Sequence, residues 1–351
     1  MHGLSAPGGR KTMSYPVGLC TRAFADPARL HASGSGARPI LTHIWYPATP
    51  LARPLPVMIG PPETPFFWAG DAAHDAVPAA SPPTLPLVVL SHGTGGMALQ
   101  LGWLATALAA QGSIVACVNH HGNTALEPYT LDGFTRIWDR PQDLRVMLDC
   151  LLADPLFGPR IDPGRIGAAG FSLGGYTALA LAGGVLDLRE LLAAYRRAGR
   201  SLETLAPPEF PDAAGLVQAL ERLSTEDASH RRSYHDRRIG AAFVMAPALG
   251  EAFSAQGLAP ITVPVKIVAG VADTNTPPAR NASWYAQHIP SAELVFVDGQ
   301  VGHYTFLAEC APAGRDALPM LCIDEPGVDR ATVHRQVGEM AQAFFARHLP
   351  A

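Results

Sequence analysis

The run Gly170-Phe171-Ser172-Leu173-Gly174-Gly175 reads G-x-S-x-G, at the end of the apolar stretch RIGAAGF and ahead of the helix-forming stretch YTALALAG. With 34 glycines in 351 residues, chance alone gives roughly 0.14 such matches, so the letters by themselves are moderately specific. Their position between a buried strand and a helix adds more. A turn there is strained, lifts the serine hydroxyl above the sheet, and needs small neighbours so that backbone can approach backbone. The helix that follows brings the positive end of its dipole beneath any negative charge forming near that hydroxyl. The chemistry implied is nucleophilic attack by Ser172 on an electrophilic carbon.

A serine hydroxyl is a poor nucleophile until a base takes its proton. Thirteen histidines compete for that role. His303 stands in DGQVGHYTF, just after the strand-like ELVFVD, where a strand end would hold it over the sheet. His288, His334 and His348 fall on predicted helices and read as surface or packing residues. The imidazole in turn needs a carboxylate to hold its tautomer. Asp273, in VPVKIVAGVADTNTPP, emerges from a strand that is apolar apart from Lys266. Asp298 is the competitor, but it precedes His303 by only five residues, a loop too short to turn its side chain back to the ring. The order Ser172, Asp273, His303 is one that such triads adopt.

An oxyanion formed during attack needs preorganised N–H donors. The amide of Leu173 is one candidate. The other lies in Ser91-His92-Gly93-Thr94-Gly95-Gly96, with Thr94 favoured over Gly93. This glycine-rich loop is not a phosphate cradle, since G-x-x-x-x-G-K-[ST] is absent. His92, His120 and His121 form a weak metal set, because adjacent residues on an extended chain point to opposite faces. Five cysteines without a C-x-x-C give no zinc spacing. Cys117 and Cys150 read as core, and Cys310 and Cys322 flank a short Pro/Gly-containing loop that permits a disulfide. No cofactor, metal ion or nucleotide is expected.

The elements that must position these residues alternate strand and helix, which predicts an α/β fold: a mostly parallel sheet of eight strands with helices on both faces. Strands are predicted near 17–25 and 40–47 as an antiparallel edge pair, then at 86–91, 113–119, 165–171, 240–246, 263–270 and 292–297. Residues 52–85, rich in Pro and Gly, read as loop. Residues 185–238 break the rhythm with helical patches and no strand, and are expected to form a helical cap insertion. The partition is then a tail at 1–16, a catalytic domain at 17–184 and 239–351, and the insertion between. Phe66, Phe67, Trp68, Tyr129 and Trp138 lie where loops could line a pocket.

Hydrophobic residues make up 48% of the chain and charged residues 16%, ample for a core and against disorder. A net charge of -4 offers no argument for nucleic acid or an anionic membrane surface. No apolar run is long enough to span a bilayer, and no apolar signal segment opens the chain, so a cytoplasmic location is expected, with export after removal of a signal peptide as the alternative.

LSHGTGG, GFSLGG, the G-x-x-D-x-x-x-P from Gly270 to Pro277, and GHYTFLAEC together resemble the predicted dienelactone hydrolases that group with platelet-activating-factor acetylhydrolase-like serine esterases of the α/β-hydrolase superfamily. The resemblance runs from about Val17 to the C-terminus and includes WYPA at 45–48 and CIDEPGVDR after Leu321. It implies the α/β-hydrolase fold and a Ser–His–Asp esterase acting on a small-molecule ester, mapping to Ser172, His303 and Asp273 with Thr94 and Leu173 as oxyanion donors. Amide, lactone or peroxyacid chemistry uses the same triad, and a non-catalytic binding protein on the same scaffold is the alternative from another class. True dienelactone hydrolases carry cysteine where this chain has Ser172.

Overall fold

The computed structural model of the chain describes residues 14–207 and 210–350, arranged about one eleven-stranded sheet. Its strands are β1 (Val17–Leu30), β2 (Ala37–Pro47), β3 (Leu55–Ile59), β4 (Phe67–His74), β5 (Leu85–Ser91) and β6 (Ile114–His120). They continue with β7 (Ile161–Phe171), β8 (Ile239–Met245), β9 (Val265–Gly270), β10 (Ala292–Val297) and β11 (Glu309–Cys310). Across the sheet the order is β10-β9-β8-β7-β5-β6-β2-β1-β4-β11, with β3 paired to β4. From β10 through β6 the neighbours run parallel. β2 and β1 then turn antiparallel.

The helices are α1 (Gly102–Ala110), α2 (Leu131–Thr135), α3 (Asp139–Ala153), α4 (Leu173–Leu181), α5 (Leu188–Arg197) and α6 (Ala213–Glu226). After them come α7 (Ala255–Leu258), α8 (Ala282–His288), α9 (Pro312–Ala317), α10 (Pro319–Cys322) and α11 (Arg330–His348). The parallel strands are apolar on both faces because both faces are covered. Leu87 and Val89 of β5 pack with Leu144, Met147 and Leu179 of α3 and α4. Val88 and Leu90 pack with Leu104, Val337 and Phe345 of α1 and α11. A strand buried on both faces needs no polar alternation, which is why β5 and β6 read as continuous apolar runs.

The structure differs from the sequence expectation in three places. The described residues form eleven strands, not eight, and the parallel run extends from β10 to β6. Residues 52–85 are not all loop, for they hold β3 and β4. Pro56 hid β3, yet β3 pairs with β4 alone, and an edge strand tolerates a proline. Finally, β1 and β2 are antiparallel but not an edge, because β2 pairs with β6 and β1 meets β4 at Gly18 and Leu19. Of the tail expected at 1–16, residues 1–13 lie outside the described residues, and the Tyr15 amide donates to the Ala110 carbonyl. Residues 185–238 hold α5 and α6 and, among the described residues, no strand.

Burial pushes several histidines down, among them His43 to about 4, His120 to about 3 and His334 to about 4. In the unfolded chain each titrates near about 6.5. The folded protein therefore refuses protons that the unfolded chain accepts. This stabilisation is complete above the unfolded value and is lost as pH falls towards 4. The urea midpoint should drop between pH 7.5 and pH 5, above the range in which most carboxylates titrate. A midpoint constant over that interval would contradict the assignment of these rings as buried and neutral.

Candidate active site

Ser172 joins β7 to α4 with φ 55 and ψ -118, a positive φ that a serine adopts only when its surroundings enforce it. The enforcement comes from backbone. The Ser172 amide donates to the Met245 carbonyl at 2.9 Å, and the Ser172 carbonyl accepts from Ala248 N at 3.0 Å. A Cβ at Gly174 would overlap the Ser91 carbonyl, and one at Gly170 would overlap the Gly174 carbonyl. Only glycine at these two positions lets β5, β7 and α4 close on the turn. The hydroxyl is thereby fixed above the sheet, its residue 7% exposed.

His303 opens a single 3-10 turn after β10 and packs against Phe171, ring centroids 4.8 Å apart. Its Nε2 lies 3.0 Å from Ser172 Oγ, and its Nδ1 lies 2.7 Å from Asp273 Oδ2. A carboxylate only accepts, so Nδ1 carries the proton and Nε2 is free to accept from the serine. Burial opposes charge on Asp273, but hydrogen bonds from His303 and Thr276 outweigh it and hold the carboxyl below its ordinary range. The carboxylate therefore stays ionised at neutral pH. Asp298, the competitor in the sequence, is exposed to solvent.

Thr276 was not found from the sequence. Its amide donates to Asp273 Oδ1 at 2.7 Å and its hydroxyl to Oδ2 at 2.7 Å, so it grips both oxygens. The available signal was its spacing: a threonine three residues after an aspartate at a strand end is the pattern of a side-chain-to-backbone turn.

The loop carrying Thr94 is oriented from behind. The His120 amide donates to His92 Nε2 at 3.1 Å, which places the His92 proton on Nδ1, and Nδ1–H donates to the Gly93 carbonyl at 2.7 Å. In a planar trans peptide the C=O and N–H point in opposite directions, so holding the Gly93 carbonyl turns the Thr94 N–H the other way. Burial keeps His92 neutral by lowering it well below the ordinary imidazole range. The neighbouring carbonyls are held too: that of His92 accepts from the buried Arg140, and that of Gly95 from the Tyr129 hydroxyl at 2.9 Å. Thr94 lines the same cavity as Ser172 and Leu173. Among the described residues neither the Thr94 nor the Leu173 amide has an acceptor.

His120 is not a metal ligand in waiting. Its Nδ1 sits 3.0 Å from Asp143 Oδ2 and its Nε2 2.9 Å from Ser91 Oγ. This second Ser–His–Asp relay repeats the geometry of the first but is fully buried, so no substrate can reach it. Asp143 also accepts from Arg38 and Arg29. Burial disfavours its charge, yet these cations and His120 hold its carboxyl far below the usual range. His121 turns away to Glu127, at 2.6 Å. Among the described residues no group of three or more His, Cys, Asp or Glu could hold a metal ion.

Ser172 and His303 open into a cavity of about 1170 Å³. Phe66, Phe67 and Tyr129 line it, whereas Trp138 is buried in the core and Trp68 borders a separate, smaller pocket. Residues Leu191, Tyr195 and Leu205, from the 185–238 segment, form part of its wall. Another part comes from 317–321, within a loop closed by a Cys310–Cys322 disulfide with Cα atoms 5.6 Å apart. Cys117 is buried and Cys150 half-buried, both as free thiols.

Residues 70–138 match the family model described as platelet-activating factor acetylhydrolase, isoform II. Among solved structures, ferulic acid esterase from Streptomyces cinnamoneus superposes with a TM-score of 0.64 at 23% identity, over 98% of this chain and 92% of that one. No curated protein matches the sequence. No helix among the described residues is long and apolar enough to cross a membrane.

The grip of Thr276 on Asp273 gives a test. A hydrogen bond to a charged group contributes about 1.5–3 kcal/mol. Thr276→Val keeps the amide donor but removes the hydroxyl, and should lower kcat roughly tenfold or more with little change in KM. An unchanged kcat would mean that Asp273 holds its position without that hydroxyl.

Proposed function

We propose that this chain, an α/β-hydrolase by its fold, hydrolyses carboxylic esters through an acyl-enzyme on Ser172. The observation that carries the reading is the continuous relay from Ser172 Oγ through His303 to Asp273, at 3.0 and 2.7 Å, opening into a cavity that also receives Thr94 and Leu173. The preference for esters over other acyl donors rests on the two likenesses, to an acetylhydrolase family over residues 70–138 and to a ferulic acid esterase over the whole fold.

In this reading His303 Nε2 takes the Ser172 proton as Oγ attacks the ester carbonyl. Asp273 holds the Nδ1–H tautomer and stabilises the imidazolium. The amides of Thr94 and Leu173, with the N-terminal end of α4 behind them, receive the oxyanion. His303 then gives its proton to the departing alcohol. A water, deprotonated by the same nitrogen, cleaves the acyl-serine. No step calls for a metal or cofactor. The 185–238 segment serves as the cap, contributing Leu191 and Tyr195 to the cavity wall. The Cys310–Cys322 bridge argues for an oxidising compartment in place of the cytoplasmic location expected from the sequence.

Turnover of p-nitrophenyl butyrate beside the matching p-nitroanilide tests the reaction class. The ester should be cleaved readily and the anilide far more slowly; the reverse ranking would make the protein an amidase. Ser172→Ala should lose about 10⁴-fold or more of the esterase rate while keeping its fold. Residual activity near wild type in that variant would remove Ser172 from the mechanism.

A further inference from the structure

The cavity is lined chiefly by apolar and uncharged side chains, and among the described residues its charged lining, apart from His303, is Arg200, Glu251 and Arg280. Arg200 Nη2 reaches both Glu251 oxygens, at 2.7 and 2.8 Å, and its guanidinium lies 3.8 Å over the Tyr195 ring. That pair neutralises itself. The remaining Arg200 Nε–H is buried and has no acceptor among the described residues.

Arg280 ends the 3-10 turn Pro278–Arg280 and is half-buried. It lines the cavity, and among the described residues no carboxylate lies within ion-pair distance of its guanidinium and no acceptor within hydrogen-bond distance. The two arginines share one neighbourhood. Gly250, next to Glu251, packs so closely that a Cβ there would overlap the Arg280 carbonyl, and its amide donates to Asn281 Oδ1 at 2.9 Å. The Tyr195 hydroxyl lies in the field of Arg200, Glu251 and Arg280 alike.

Among the described residues this wall therefore carries one uncompensated positive charge and one orphaned guanidinium N–H. A half-buried cation without a counter-ion is costly, and a guanidinium answers best to a planar oxyanion. We propose that the wall is a subsite for a carboxylate borne by the substrate, with Arg280 as its charge partner and Arg200 Nε–H as a further donor. The substrate class is then an ester that carries a free carboxylate away from the scissile bond, such as a half-ester of a dicarboxylic acid. The carboxylate itself does not react. The acyl C–O bond breaks, the alcohol departs with the proton from His303, and water completes hydrolysis to the dicarboxylic acid.

The inference rests on the esterase reading, and a matched substrate pair keeps the two separable. Monoethyl adipate and ethyl hexanoate share a six-carbon acyl chain and differ in one carboxylate; both can be followed by proton release in a pH-stat. At low salt kcat/KM for the half-ester should exceed that for ethyl hexanoate by roughly tenfold, the value of about 1.4 kcal/mol. The preference should narrow in 0.5 M NaCl. Arg280→Gln should bring the ratio of the two towards one through a higher KM for the half-ester, with Arg280→Lys intermediate. In the wild-type enzyme, free adipate should inhibit ethyl hexanoate hydrolysis competitively, and 1,6-hexanediol should not. Equal or better use of ethyl hexanoate by the wild type, or a preference for the half-ester that survives in Arg280→Gln, overturns the subsite and leaves the esterase reading standing. Inertness towards both esters and towards p-nitrophenyl butyrate overturns the esterase reading itself.

Discussion

The relay from Ser172 to His303 and Asp273 depends on one backbone conformation, the positive φ of Ser172 between β7 and α4. The turn is strained for a residue with a Cβ, so the surrounding structure must supply what the residue does not. It does so with main-chain hydrogen bonds to Met245 and Ala248 and with two glycines whose missing side chains let Ser91 and Gly174 press in. The hydroxyl is then held where the His303 imidazole, which follows a different strand, lies 3.0 Å from it. His303 comes from beyond β10 and Asp273 from beyond β9, and parallel strands deliver both to the same edge. A local rearrangement of the elbow would disconnect residues that are 101 and 131 positions away in the chain.

A second constraint lies beneath the first. The loop that presents Thr94 has no regular secondary structure to hold it, and its orientation is set by buried polar groups: His92 on the Gly93 carbonyl, Arg140 on the His92 carbonyl, Tyr129 on the Gly95 carbonyl. Those groups are tied through Ser91 and His120 to Asp143, and through Asp143 to Arg38 and Arg29. Buried charges of this kind contribute little net stability, but removing one partner costs about 3–5 kcal/mol because the others are left unpaired. The network thus trades stability for a fixed loop, a preorganised donor set of the kind that stabilises an oxyanion without reorganising during reaction.

Much of this was legible before the fold was seen. The elbow announced itself because its chemistry needs glycines at fixed offsets beside a serine, and the strand–helix junction around it is periodic enough to read. His303 and Asp273 could be placed because both follow apolar strands into Gly- or Pro-containing loops. What escaped were features defined by side chains meeting across the fold. Thr276 is one, since a threonine in a loop looks like any other until its hydroxyl is found on a carboxylate. The roles of His92 and His120 are another, since neither the oxyanion-loop motif nor the adjacent-histidine pattern shows which carbonyl or carboxylate each ring will hold. The relay Ser91–His120–Asp143 has the same residue types as that of Ser172 and similar distances, but it is fully buried, whereas Ser172 and His303 open into the cavity. β3 and β4 escaped because proline and glycine read as loop; β3 pairs with β4 alone, and such an edge strand tolerates Pro56, whereas β4 is held by pairing with β1, β3 and β11.

The account stands or falls on a covalent acyl group at Ser172. Rapid acid quench during turnover of a slowly deacylated ester, followed by digestion and tandem mass spectrometry, reads this directly. The peptide spanning the elbow should gain the mass of the acyl group, localised to Ser172, together with a burst of about one equivalent of alcohol. An adduct on any other residue, or ester turnover with neither burst nor adduct under conditions where deacylation limits the rate, would contradict it.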